Sequence, residues 1–285
     1  MLQNHLKAVF VGMYMTGNVA LFLMAVYKLI SEGNSLAWIG AAVASGAVSC
    51  LIGLYYGGWL PRTTRHIPLL LVATTLGTAL AGIGLMNDGE VQTANLPFLA
   101  ALVLSLVGTL AYLYWYSILG RPATKALHVG EMLPVLDLAD ETGQAVRIDS
   151  LFGNPLLLVF YRGNWCPLCM AQVRELANQC QEFQQRGVTV ALISPQPQNK
   201  SAKLAMNLGV SFKFLVDKEG KAARKLGISH IAGLPLGLQV FGYNTDTVFP
   251  TVIVTDTKGK IVFVDQTENY RVRPGLEVLL GALQN

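Results

Sequence analysis

The chain has 285 residues, a formal net charge of +4 and a mean hydropathy of +0.44, with 52% of its residues hydrophobic and only 13% charged. Globular chains carry roughly 25% charged residues; here residues 1–120 hold four Lys/Arg (Lys7, Lys28, Arg62, Arg65) and three Asp/Glu (Glu32, Asp88, Glu90), and residues 121–285 hold the other seventeen and fourteen. That division excludes a disordered chain, a disulfide-rich secreted scaffold and a simple soluble enzyme, and the absence of a basic block argues against a nucleic-acid partner.

A helix needs roughly 20 apolar residues to cross the hydrocarbon core. Four stretches meet that need, at about 8–30, 36–60, 67–86 and 96–119, with polar loops between them and Pro61, Pro68 and Pro97 near span boundaries. The expected organisation is a four-helix transmembrane part over 1–120, a linker over 121–130 and an α/β domain over 131–285. Lys7, Arg62, Arg65, Arg121 and Lys125 fall on one side of the four spans, against at most Lys28 on the other. The positive-inside bias then predicts both termini, and the α/β domain, on the cytoplasmic face of a cell inner membrane.

Tyr55, Tyr56 and Trp59 close the second span, and Tyr112, Tyr114, Trp115 and Tyr116 close the fourth; both clusters read as interfacial aromatic belts. The first span lacks a small-residue cleavage pattern and is expected to be retained. The span interiors contain no Asp, Glu, Arg or His, the usual marks of ion or proton pathways, and Cys50 stands alone. Gly40, Ala44, Gly46, Ser49, Gly53 and Gly57 of the second span are spaced for close helix packing. The spans read as an anchor or assembly surface.

After the linker, residues 135–148 alternate around Asp140-Glu141-Thr142-Gly143 and predict a hairpin. The apolar run Leu156–Tyr161 predicts a buried strand. Apolar residues at 173, 176, 177, 180 and 183 predict one helix over 167–186. A strand at 188–193, a helix at 200–208, a strand at 212–216 and a short helix at 221–227 follow. Thr251–Val254 and Lys260–Val264 form a second hairpin, and a helix closes the chain at about 274–283. The sequence of elements is thioredoxin-like.

The chemistry is expected in Trp165-Cys166-Pro167-Leu168-Cys169, at the junction of the buried strand and the helix. Cys166 would occupy the helix N-terminus, where free N–H groups and the macrodipole favour a thiolate. Cys169 lies one turn on, within disulfide reach, and is expected to stay a thiol at neutral pH. Pro167 fits the first turn because its missing N–H would be unpaired there anyway. Arg162 and Trp165 support the site, Arg162 by adding positive potential. A structural zinc site needs four ligands, and Cys180, His128 and His230 do not supply them, so no metal and no cofactor are expected. Cys180 shares the helical face of Val173, Leu176 and Phe183 and reads as a packed apolar thiol.

The run Phe160–Cys169 (FYRGNWCPLC) resembles the peroxiredoxin-like branch of the alkyl hydroperoxide reductase/thiol-specific antioxidant (AhpC/TSA) family. Ile193-Ser194-Pro195-Gln196, Phe214–Asp217, Phe249-Pro250-Thr251 and Asn269–Pro274 extend the resemblance over about 155 residues from 131 onward. It implies a thioredoxin fold and thiol-dependent redox chemistry. Cys166 matches the attacking cysteine, Cys169 a resolving one, and Pro250 the position that thioredoxin-like proteins fill with a cis proline. Typical members carry Thr or Ser where this chain has Gly163, and an active-site Arg before the penultimate strand, for which Arg162, Arg271 and Arg273 are the available substitutes.

The resulting expectation is a membrane-anchored thiol-dependent oxidoreductase that reduces hydroperoxides or exchanges disulfides, recycled by an external thiol reductant such as a thioredoxin or glutathione. Its alternative is a redox sensor or membrane assembly module that uses the same dithiol without turnover.

Overall fold

The computed structural model describes residues 2–33, 35–57, 65–87, 91–122, 124 and 126–283. Arg62, Pro61, Trp59, Asp88, Glu90 and Lys125, and the side chain of Tyr56, on which parts of the expected topology rest, lie outside the described residues. The chain forms two compact units, Leu6–Ile118 and Met1–His5 with Leu119–Asn285.

The first of these is helical. Helices α1 (Leu2–Glu32), α2 (Leu36–Gly57) and α3 (Pro68–Asn87) are followed by α4 (Val91–Ala100), which runs through a π-helical stretch (Ala101–Val107), α5 (Gly108–Ala111) and a second π-helical stretch (Tyr112–Tyr116). Among the described residues four helical segments, Leu2–Glu32, Leu36–Tyr55, Pro68–Asn87 and Asn95–Tyr116, are long and apolar enough to cross a membrane. Pro68 opens α3, whereas Pro97 sits inside α4 rather than at a boundary.

The small residues do bring α2 and α3 together. A Cβ on Gly40 would stand 2.2 Å from the Ala81 backbone N, and one on Gly77 would stand 2.5 Å from that of Ala44. Gly53 faces open space and takes no part. Three of the aromatics expected in the belts face the bundle. Tyr55, Tyr112 and Tyr116 are buried in the bundle, and only Tyr114 of the fourth-span cluster is exposed. The inward aromatics stack, Tyr14 on Tyr112 at 5.4 Å and Tyr112 on Tyr116 at 5.6 Å.

Beside this stack runs a closed polar chain. Ser105 Oγ donates to Asn18 Oδ1 (2.7 Å), Asn18 Nδ2 donates to the carbonyls of Tyr14 (2.8 Å) and Leu104 (3.1 Å), and the Tyr14 and Thr109 hydroxyls pair at 2.9 Å. Lys7 is buried, its Nζ donating to Ile118 O and standing 5.7 Å over the Trp115 ring.

The second unit is built on a sheet of order β2-β1-β5-β4-β3-β8-β9. Its strands are β1 (Asp137–Ala139), β2 (Ala145–Arg147), β3 (Leu156–Phe160), β4 (Thr189–Ser194), β5 (Lys213–Val216), β8 (Thr251–Thr255) and β9 (Ile261–Asp265); β6 (Ser229–His230) and β7 (Thr247–Val248) pair separately. β3, β4 and β5 are parallel, and β8 runs antiparallel to β3 with Thr251 opposite Phe160. Both β3 and β8 are buried along their whole length, as continuous Val/Ile/Leu runs require of central strands. The helices are α6 (Pro167–Asn178), α7 (Cys180–Gln185), α8 (Gln198–Leu208), α9 (Lys221–Lys225) and α10 (Leu276–Ala282).

The single helix expected over 167–186 is two. Gln179 leaves helical geometry (φ −107°, ψ 17°) and its N–H bonds to Leu176 O, tightening and ending α6. The break turns Cys180 off the Val173–Leu176 face. It is half-buried, with Sγ 3.5 Å from Ser211 Oγ, and is not a packed core thiol.

Candidate active site

The end of β3 delivers the chain into a loop, Tyr161–Trp165, that closes on the first turn of α6. Cys166 is the N-cap residue and Pro167 the first helical residue, so the missing proline N–H leaves no donor unpaired. Cys166 Sγ accepts the backbone N–H of Cys169 at 3.4 Å. Both thiols are buried, each 1% exposed.

Gly163 shapes the loop. Its φ is +145°, and a Cβ there would stand 2.6 Å from Trp165 Nε1. A Thr or Ser at this position meets both backbone strain and the indole ring, so the departure from the usual family residue is dictated by the packing of Trp165. Gln196 holds the loop from β4's end: its Oε1 accepts Asn164 N–H at 2.8 Å, and its Nε2 donates to Tyr161 Oη and Ser201 Oγ, both at 3.0 Å.

Arg162 is buried, and its guanidinium stands 4.7 Å from the Trp165 ring and 5.8 Å from that of Tyr270. Its Nη2 donates to Gly233 O, and its own carbonyl accepts from Thr247 Oγ1 at 2.9 Å. Tyr243 Oη donates to Asn164 Oδ1. The segment between β6 and β7 thus walls the site.

Pro250 is buried at the head of β8, at the same end of the sheet as the dithiol loop because Thr251 pairs with Phe160. No peptide bond among the described residues is cis, so the expected cis proline at 250 is corrected to trans. The Pro250 carbonyl accepts from Arg121 Nη1 (3.2 Å), and Arg121 Nη2 donates to Thr251 Oγ1 (3.0 Å). Burial pulls the Arg121 guanidinium down to about 10, against the opposing attraction of Asp265.

The electrostatics of the pair differ from the sequence expectation. Burial pushes the Cys166 thiol up, and its hydrogen bond with the Cys169 thiol and the charge on that sulfur push it further; Arg162 opposes them. Burial also acts upward on Cys169, but the hydrogen bond from Cys166, the Arg273 guanidinium, the Arg162 backbone N–H and the Arg162 charge outweigh it and bring Cys169 down to about 6. A helix N-terminus stabilises a charge near it; the two hydrogen-bonded thiols titrate as a pair, and the Arg162 and Arg273 guanidinium groups act on the charge they share.

Sequence reading placed Arg273 only among substitutes for the missing family arginine. In the fold it acts on both thiols and on Asp265, and its Nε and Nη2 are buried with no hydrogen-bond partner. The signal was the Asn-Tyr-Arg-Val-Arg-Pro segment itself, whose return to the dithiol depends on long-range packing. Arg162 and Trp165 come together with each other beside the thiols; His230 stacks on Phe249 at 4.4 Å, and His128 is exposed. Among the described residues no group of three His, Cys, Asp or Glu is placed to hold a metal.

Residues 129–264 match the model of the AhpC/TSA family. The chain is 24% identical over 102 residues to peroxiredoxin Bcp of Bacillus subtilis strain 168, covering 36% of this chain and 65% of that protein. It is 27% identical over 148 residues to peroxiredoxin Bcp of Escherichia coli strain K12, covering 50% of this chain and 90% of that protein. Among solved structures, the peroxidoxin BcpB of Mycobacterium tuberculosis aligns over 55% of this chain and 95% of its own, with 24% identity and a TM-score of 0.45. The chain therefore carries, at residues 129–264, a domain of the AhpC/TSA family.

Proposed function

We propose that this protein is a membrane-anchored thiol peroxidase whose reacting groups are Cys166 and Cys169. An AhpC/TSA domain with peroxiredoxin relatives supports thiol-dependent peroxidase or redox chemistry. The observation that carries the peroxide reading is the buried, cation-flanked thiol pair at the start of α6.

In the proposed cycle Cys166 reacts as its thiolate, with the proton of the pair on Cys169. The Cys166 thiolate then attacks the terminal oxygen of ROOH. The O–O bond breaks, the departing alkoxide takes the proton held on Cys169 and leaves as ROH, and Cys166 becomes a sulfenic acid. The Cys169 thiolate attacks that sulfur, the displaced hydroxide takes a proton from solvent and leaves as water, and an intramolecular disulfide forms. An external dithiol, a thioredoxin or two glutathiones, supplies two electrons and two protons to restore both thiols. Arg162, Trp165, Pro167 and Pro250 position the pair, and no bound cofactor enters the cycle.

Four helices long and apolar enough to span a membrane support the anchoring. The Lys/Arg bias supports a redox domain on the cytoplasmic side of an inner membrane. A membrane-impermeant thiol reagent applied to sealed spheroplasts should then spare Cys166 until the membrane is opened. Labelling before opening would reverse the orientation.

Steady consumption of hydroperoxide by the reconstituted chain, supplied with a thioredoxin system or with glutathione and its reductase, tests the function. Turnover well beyond one peroxide per chain supports the enzyme. Oxidation that stops after one equivalent, with either reductant present, would contradict it and leave a redox sensor or assembly switch.

A further inference from the structure

The loop between β6 and β7 contains no Asp, Glu, Lys or Arg from residue 231 to 245, in a unit whose charge is otherwise ordinary. Its roots are anchored at the active site: Gly233 O receives Arg162 Nη2, and Tyr243 Oη bonds Asn164. Ala232 and Leu234 are buried beneath it. Its outer edge is apolar and open, with Ile231 45%, Leu236 57%, Val240 80% and Phe241 62% exposed. Val240 and Phe241 stand on a single 3-10 turn, Leu238–Phe241, between Gly237 (φ 96°) and Gly242 (φ 84°). A protruding apolar edge on a firmly rooted loop marks an interaction site.

We propose that this lip seats in the headgroup–acyl boundary of the lipid bilayer, beside the dithiol it walls. The proposal rests on the membrane-anchored part of the function above. Covalent connection supplies the occupant. The chain enters this unit at Leu119, three residues after the last candidate span ends at Tyr116. At roughly 3.5 Å per extended residue, that tether reaches only about 10 Å. The unit also includes the chain up to His5, in the first turns of the first candidate span. A bilayer is thus the apolar phase held at the highest effective concentration. Lys200, whose Nζ stands 5.5 Å over the Tyr243 ring at the lip's base, offers a cation to anionic headgroups. An uncharged apolar edge next to a cation is the chemistry of interfacial insertion.

The test uses the full chain in phosphatidylethanolamine–phosphatidylglycerol vesicles, with or without phosphatidylcholine brominated on its acyl chains. Val240→Trp and Phe241→Trp report from the lip. Lys258→Trp reports from the exposed β8–β9 turn, at the opposite end of the sheet from Thr251 and the dithiol. The emission of the unsubstituted chain is subtracted. Brominated lipid should quench both lip reporters several-fold more than the Lys258 reporter. Equal quenching at the two ends would overturn the lip assignment, as would lip quenching that depends on protein density and not on bromine, which would point to a second copy of the chain. Extraction of the whole chain from the vesicles by alkaline carbonate would instead overturn the anchoring on which the proposal rests.

Discussion

The two units differ in what surrounds some of the polar groups they bury. In the helical unit Asn18, Ser105, Tyr14 and Thr109 satisfy one another and nearby carbonyls within the packed helices. In the redox unit, Arg273 Nε and Nη2 and Asp265 Oδ2 are buried without a hydrogen-bond partner, and Arg273 acts on the dithiol. Paired polar groups between apolar helices fix packing. Unpaired ones next to a reactive thiol cost stability and are tolerated where charge must be handled. The contrast locates the chemistry in one unit and assigns a structural role to the polar chain in the other.

The largest expected effect breaks the reactive side of that contrast. Cys166→Ser should reduce peroxide turnover to the uncatalysed background in a coupled reductant assay. Cys169→Ser should spare the first oxidation and leave Cys166 as a sulfenic acid that a dimedone probe captures. Loss of the first oxidation in Cys169→Ser, with retention in Cys166→Ser, would reverse the two roles.

Arg273→Gln comes next. Removing a nearby cation raises a thiol pKa by about 1–3 units, so the Cys169 value rises above its present level of about 6. Thiol alkylation at pH 6 should then slow by roughly fivefold or more. In strongly alkaline solution, where both proteins are fully ionised, the two rates should converge. An unchanged pH profile would remove Arg273 from the site.

Gly163→Thr would install the usual family residue. Its positive φ and the nearby Trp165 ring should cost about 1–3 kcal/mol of stability, read from the denaturation midpoint, without raising peroxidase activity. A gain in activity at unchanged stability would contradict the packing account. The smallest effect belongs to the helical unit. Asn18→Ala should weaken the bundle by roughly 0.6–1.7 kcal/mol in a detergent unfolding titration and leave thiol reactivity unchanged.

Much of the redox unit is legible in the sequence because its determinants are local. The apolar run 156–160 writes β3, and Cys166 followed by Pro167 writes the start of α6. The four long apolar helices are equally legible from length and apolarity. What is not legible depends on contacts between distant segments. Composition does not distinguish a tyrosine facing lipid from one facing the bundle, so Tyr112 and Tyr116 were expected at the interface and are buried. Periodicity assumed an unbroken helix and so put Cys180 in the core; the turn at Gln179 moves it out. The surroundings of the dithiol are only partly legible for the same reason: Arg162 and the helix N-terminus are local, but Arg273, which acts on both thiols, arrives from beyond β9.

The most direct measurement is mass spectrometry of the full reduced chain after one equivalent of hydroperoxide, with alkylation of the remaining thiols. The account predicts a single intramolecular Cys166–Cys169 disulfide, with Cys50 and Cys180 alkylated. A chain that keeps Cys166 and Cys169 reduced while peroxide is consumed, or that bridges either of them to Cys180, would contradict it.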